Sequence, residues 1–154
     1  MPSHSAVSAR GFTLLELMIV VALAALVSAG VAFSLRDSSS TQLEREAVRL
    51  AALLETARAQ SRTSGVPIVW RATPQGYEFL GAGPRADRTE SLAEPRDWLA
   101  AGTRARIVEP ADAPGLVLGP EPMGPPQRLL LSLGERQLVL ASNGLRPFTT
   151  DTGQ

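Results

Sequence analysis

Few residues of this chain are equipped for chemistry, and those few sit near its beginning. His4 is the sole histidine, and there is no cysteine. Ser61, Ser64 and Ser132 therefore lack a histidine to activate them as nucleophiles, and no thiol or disulfide chemistry is expected. No Walker-type glycine loop and no histidine or cysteine metal set occurs after residue 11. The reading at this point is of no catalytic residue, no metal site, no cofactor and no enzyme. What stands out is one carboxylate, Glu16, at the start of a long apolar run and shortly after Arg10-Gly11-Phe12. A carboxylate inside a membrane segment costs about 2.5–3.5 kcal/mol at the bilayer centre and less near an interface, so it marks a function or a partner. Gly11-Phe12 sets a small, flexible residue before a bulky one, directly after a basic one.

The element that must position Glu16 follows from hydropathy. Leu17 to Leu35 contains no charge, proline, asparagine or glutamine, and only Ser28, Gly30 and Ser34 interrupt it. As a helix that run is about 28 Å long, close to the roughly 30 Å of a bilayer's hydrocarbon core. It lacks the polar face of a soluble core helix, so a transmembrane helix is predicted over 12–35. Ala24, Ser28 and Ala32 recur every four residues, as do Ala25 and Ala29. Small residues at that spacing let helices approach closely in lipid or in a filament core. Two other readings fit the run: a secretory signal peptide cut near Val27-Ser28-Ala29, and a plain single-pass anchor. Arg10 favours a cytoplasmic N-terminus, but Arg36 lies just past the other end, so charge alone orients the helix weakly.

Glycine, aromatic, glutamate at the fifth position after the glycine and an unbroken apolar run together resemble the processing site of type IV prepilins and type II secretion prepseudopilins. The resemblance implies that 1–11 is a leader removed after Gly11 by the prepilin peptidase. It further implies that Phe12 becomes the N-methylated first residue and that Glu16 meets the terminal amine of a neighbouring subunit during assembly. The physical logic agrees. Cleavage would place a positive amine four residues before a carboxylate, and subunits staggered along a filament could neutralise one charge with the other. A buried charge left alone is strongly unfavourable, so such pairing gives an axial register.

The remainder, 36–154, is long enough for one modest core. Over the whole chain charge is balanced at 15 basic and 15 acidic residues, all the basic ones arginine, which gives no bulk attraction for nucleic acid or anionic lipid. The polar segment from Arg36 to Thr41 reads as a break or as the point where the helix leaves the membrane. Leu43, Ala47, Leu50, Leu54, Ala57 and Ser61 then form the stripe of an amphipathic helix, with Glu44, Arg45, Glu46, Arg49, Glu55 and Arg58 assigned to its solvated side. Ser40 or Thr41 is the expected N-cap, with Glu44 completing a capping box; Gly65 and Pro67 mark the end. Strands are predicted at Ile68 to Arg71 and Tyr77 to Leu80 around Thr73-Pro74-Gln75-Gly76, at Arg104 to Val108 and at Leu116 to Leu118. A second hairpin, Gln127 to Leu133 with Gln137 to Ser142, precedes an extended piece from Leu145 to Thr149. Residues 81–97 and the proline-rich 110–126 read mainly as loops, with Trp98-Leu99 anchoring the first and the tail to Gln154 fraying. The fold class is α+β and pilin-like: a long N-terminal helix, half membrane-embedded and half amphipathic, packed on an antiparallel sheet or small β-sandwich.

This order of elements is similar to the H-type minor pseudopilins of type II secretion, whose family shares a domain with FimT-like minor pilins. The residues behind that finer likeness are Leu43 to Ala47, Arg58-Ala59-Gln60-Ser61, Gly65-Val66-Pro67-Ile68, Gly76-Tyr77-Glu78-Phe79 and Asn143-Gly144-Leu145-Arg146-Pro147-Phe148. It departs from major pilins in having no proline in the membrane helix, and from major pseudopilins in having no C-terminal acidic cluster for calcium. The resemblance implies a non-enzymatic subunit anchored by a single pass in the inner membrane of a Gram-negative bacterium. Its globular part would lie in the periplasm and assemble near the tip of a pseudopilus that exports folded proteins. Other major and minor pseudopilins, the prepilin peptidase and secreted substrates are the implied partners. The alternative is a FimT-like minor pilin of a type IV pilus that takes up DNA. Arg104 and Arg106 near Trp98 would then form a basic patch, but Arg146 stands alone where DNA-binding relatives carry two arginines, and DNA binding is not expected.

Overall fold

The computed structural model describes residues 14–83 and 91–151, with only the backbone described for 29–37. Among the described residues the helix α1 runs from Leu14 to Ser64 and is followed by eight strands. The chain divides into two compact units, 1–37 and 38–154. In the first, every residue from Leu14 to Ser28 is helical and exposed.

In the second unit the helical residues from Ser38 onward carry the predicted stripe inward. Leu43, Ala47, Leu50, Leu54, Ala57 and Ser61 are all buried. Enclosing a leucine such as Leu50 or Leu54 is worth about 1.5–3 kcal/mol relative to exposure. Of the two readings of residues 36–41, a break or the point where the helix leaves the membrane, the break does not occur, nor does the cap at Ser40 or Thr41. The segment is helical throughout, and Ser40 instead donates to Glu44 Oε1 one turn on, at 3.4 Å. Aspartate, serine and threonine weaken a helix without forbidding it, arginine favours one, and no proline or glycine lies between Val31 and Ser64 to stop propagation. The helix ends where expected: Gly65, at φ 71°, donates to the Ser61 carbonyl at 2.8 Å, a conformation glycine adopts without Cβ strain.

Two antiparallel four-stranded sheets complete the unit. The first has the order β3-β2-β1-β5 and the second β4-β6-β7-β8. In the first, β1 (Ile68–Ala72) and β2 (Gly76–Leu80) form the predicted hairpin, closed by Thr73 N–H to the Gly76 carbonyl at 2.8 Å and by Gly76 N–H to Thr73 Oγ1 at 2.9 Å. Alternate side chains point inward, Ile68 and Trp70 from β1, Tyr77 and Phe79 from β2, as a half-buried pleated strand requires. The edge strand β5 (Leu116–Leu118) buries its two leucines and exposes Val117. The other edge, β3 (Arg96–Asp97), lies inside the segment read as a loop. It has only two residues and no apolar alternation to betray it.

In the second sheet β6 (Gln127–Leu133) pairs with β7 (Arg136–Ser142) along seven residue pairs. β4 (Arg104–Glu109) lies on the far side of β6, with a register shift between Ile107 and Glu109. The last strand, β8 (Thr149–Asp151), starts where the predicted extended piece ends. Leu145 and Arg146 cannot join the ladder because Asn143 Oδ1 accepts both of their N–H groups, at 3.1 and 2.9 Å. Leu129, Leu131, Leu140 and Phe148 meet the helix stripe and the first sheet in one continuous core.

Candidate functional site

At the N-terminal end, Glu16 lies in the first turn of α1, where the positive end of the helix dipole favours a carboxylate. It is exposed, and so are its neighbours: Leu14 is 79% and Leu26 69% accessible, with Leu15, Leu17, Met18, Ile19 and Val20 also open. A contiguous exposed apolar surface of this size marks an interaction site. Ser28, one of the small residues singled out above, donates its hydroxyl to the Ala24 carbonyl at 2.8 Å. The Ala24–Ser28 face thus presents no unpaired donor to an apolar neighbour. Gly11 and Phe12 lie outside the described residues, as does the side chain of Ala32. Among the described residues no helix is long and apolar enough to cross a membrane; the uncharged run continues past Ser28 into residues described by backbone alone.

The globular unit holds polar chemistry that sequence reasoning missed. Glu46 and Arg58, assigned to a solvated face, are 1% and 7% exposed. Glu46 Oε2 accepts the Leu99 N–H at 2.6 Å, while Oε1 lies 3.8 Å from Arg49. Arg49 in turn donates to the Asp97 carbonyl at 3.2 Å. One turn of helix thereby clamps the chain just after β3. Higher on the same helix Gln60 donates to the Gly83 carbonyl at 3.1 Å. Arg58 pairs with Glu55 at 3.1 Å, donates to Gln127 Oε1 at 3.4 Å and stacks over the Phe148 ring at 5.1 Å. Glu55 also accepts the Phe148 N–H at 3.1 Å. The signal for both residues was available. Glu46 is three residues after Leu43 and four before Leu50, and Arg58 is four after Leu54 and three before Ser61, so both flank the apolar stripe.

Tyr77 sits at the centre of an aromatic group, its ring 4.8 Å from that of Trp98 and 6.2 Å from that of Trp70. Its hydroxyl and Glu46 Oε1 are buried without a hydrogen-bond partner. Burial, opposed by Arg49 and reinforced by the Glu46 carboxylate, pushes the phenol up to about 12. Trp98 is buried here, so it does not join Arg104 and Arg106 in an exposed patch. Both arginines project from the open side of β4. Among the described residues no group of acidic or histidine side chains could hold a metal ion.

The described residues thus give an exposed apolar helical stretch with an acid in its first turn. Residues 8–32 match the prokaryotic N-terminal methylation motif. The chain is also similar to a type II secretion protein H. The relative is the type II secretion system protein H of Escherichia coli strain K12, 36% identical over 89 residues, which are 55% of this chain and 53% of the relative. The chain thus spans about half the length of the curated relative it matches. No solved structure matches it. The methylation motif and the similarity to protein H together support the H-type pseudopilin resemblance read from the sequence, and the helix packed on antiparallel sheets is consistent with a pilin-like fold.

Proposed function

We propose that this chain is a minor pseudopilin of the H type, a structural and non-catalytic subunit of a type II secretion pseudopilus. The observation that carries the reading is the N-terminal methylation motif over residues 8–32, with Glu16 inside it in the first turn of an exposed apolar helix. In this reading residues 1–11 are a leader cut after Gly11, Phe12 is methylated on its new amine, and 12–35 hold the subunit in the inner membrane. The globular part, 36–154, faces the periplasm. During assembly Glu16 passes among apolar helices of neighbouring pseudopilins and is neutralised by a Phe12 amine. A carboxylate there without that partner would be costly. The face carrying Ala24, Ser28 and Ala32 allows close helix contact. The subunit acts near the tip, beside other minor pseudopilins and in reach of exported proteins.

Two measurements test this. Mass spectrometry of protein isolated from membranes should find a chain that begins with methylated Phe12; a start near Gly30 would instead identify a cleaved signal peptide. In a purified reconstitution with partner pseudopilins, Glu16→Leu should insert into membranes normally yet drop out of the fibres. Unchanged incorporation would remove the ionic docking step from the proposal.

A further inference from the structure

Asn143 is the only asparagine in the chain, and a glycine follows it. That dipeptide offers an intramolecular reaction. The Gly144 nitrogen, freed of its proton, attacks Asn143 Cγ. A C–N bond forms, the Cγ–Nδ2 bond breaks, and ammonia leaves with the proton that the amide gave up. Water then opens the cyclic imide at either carbonyl, giving aspartate or an isoaspartate whose main chain runs through Cβ and Cγ. Glycine in the second position has no side chain to hinder the attack.

The corner between β7 and β8 ties down both reacting groups. On the side of the electrophile, Asn143 Oδ1 accepts the N–H groups of Leu145 and Arg146 at 3.1 and 2.9 Å. On the side of the nucleophile, the Gly144 N–H donates to Ser142 Oγ at 3.1 Å, and that hydroxyl donates to the Arg146 carbonyl at 2.7 Å. Ser142 and Gly144 are both buried. The Gly144 carbonyl accepts the Gly124 N–H at 3.3 Å. At φ 84° Gly144 packs so closely on the second loop that a Cβ would strike the Gly124 carbonyl.

Cyclisation requires rotation about the Asn143 Cα–C and Cα–Cβ bonds. The first rotation pulls Gly144 off Ser142 and Gly124, and the second takes Oδ1 from its donors. Those donors polarise Cγ and by themselves favour attack, so the restraint lies with the nucleophile. Asn143 is exposed, so water is at hand for the second step.

We propose that Asn143 is a deamidation site that the folded corner keeps shut, and that it converts only in molecules whose corner has opened. Opening of a surface corner takes less free energy than unfolding of the sheets behind it. Conversion adds a negative charge three residues before Arg146, and the isoaspartyl form lengthens the main chain at the corner. This rests on the globular unit alone and stands whichever assembly the N-terminal helix joins.

The test holds the full chain in detergent micelles beside a capped peptide of residues 140–147, near pH 8 in heavy-oxygen water, and follows label uptake at Asn143 by peptide mapping. The peptide should convert at least about tenfold faster than the folded chain, the factor that the loss of one to two hydrogen bonds implies. Ser142→Ala, which frees the Gly144 N–H, should convert severalfold faster than wild type while amide exchange in β6 is unchanged. Equal rates for folded chain and peptide overturn the proposal, as does a folded Ser142→Ala chain that converts at the wild-type rate. Should that variant not fold, the wild-type chain decides in urea below its unfolding transition. Its conversion should follow amide exchange at Leu145 and Arg146, and a rate that follows global unfolding instead overturns the proposal.

Discussion

Glu46 is enclosed on all sides, and what encloses it decides what its loss would do. Glu46→Ala removes the acceptor for the Leu99 N–H and the counter-charge for Arg49, and leaves a gap where a buried side chain stood, while Arg49 keeps its bond to the Asp97 carbonyl. The expected cost is about 2–4 kcal/mol, read by urea denaturation of the detergent-solubilised chain. Glu46→Gln should cost less, because its amide oxygen can still accept from Leu99. A loss below about half a kcal/mol in the alanine variant would mean the clamp adds nothing. Tyr77 gives a second residue-scale prediction. Its phenol ionises near 10 when unfolded and at about 12 when folded. Between those values the unfolded chain has released a proton that the native one retains, so stability falls as pH rises through that window and is untouched below it. The drop should be of order 2 kcal/mol by pH 12, and Tyr77→Phe should flatten it. Tyr77 is the only tyrosine, so its phenolate absorbance titrates one identifiable group.

At the scale of elements, the turns show how closely the backbones approach. A Cβ at Gly76 would collide with the Arg96 carbonyl, so Gly76→Ala must part β2 from β3 or distort the hairpin. A loss of about 1–3 kcal/mol is expected, with hydrogen exchange quickening at Tyr77 and Arg96 before it does so in β6 or β7. Uniform quickening across both sheets would contradict that local account. Both hairpins were legible in the sequence because turn residues separate strands with two-residue periodicity. The helix end was legible from Gly65. β3 was not, since it is two polar residues held by a neighbouring strand and a helical clamp rather than by any preference of its own. The continuity of α1 through Arg36-Asp37-Ser38 was legible only in part, since the polar residues there fit either a break or an unbroken helix leaving an apolar medium. Glu46 and Arg58 were misread for a related reason: charge was allowed to outvote a spacing that already set them beside the core.

For the whole molecule, the division at residue 37 separates the acid proposed for assembly from the core that gives the fold its stability. Glu16→Leu should therefore leave the denaturation midpoint of the globular unit within error of wild type while it removes the chain from fibres. A large shift in that midpoint would show that the residue supports folding rather than assembly. The two tethers on the helix, Gln60 to Gly83 and Glu46 to Leu99, have a practical consequence. They tie described residues on either side of 84–90 to the helix, and the closure entropy of a stretch between two anchors grows only slowly with its length. A reporter sequence spliced in near Asp87 should therefore be carried without penalty to the sandwich, allowing the position of this subunit to be followed in living cells.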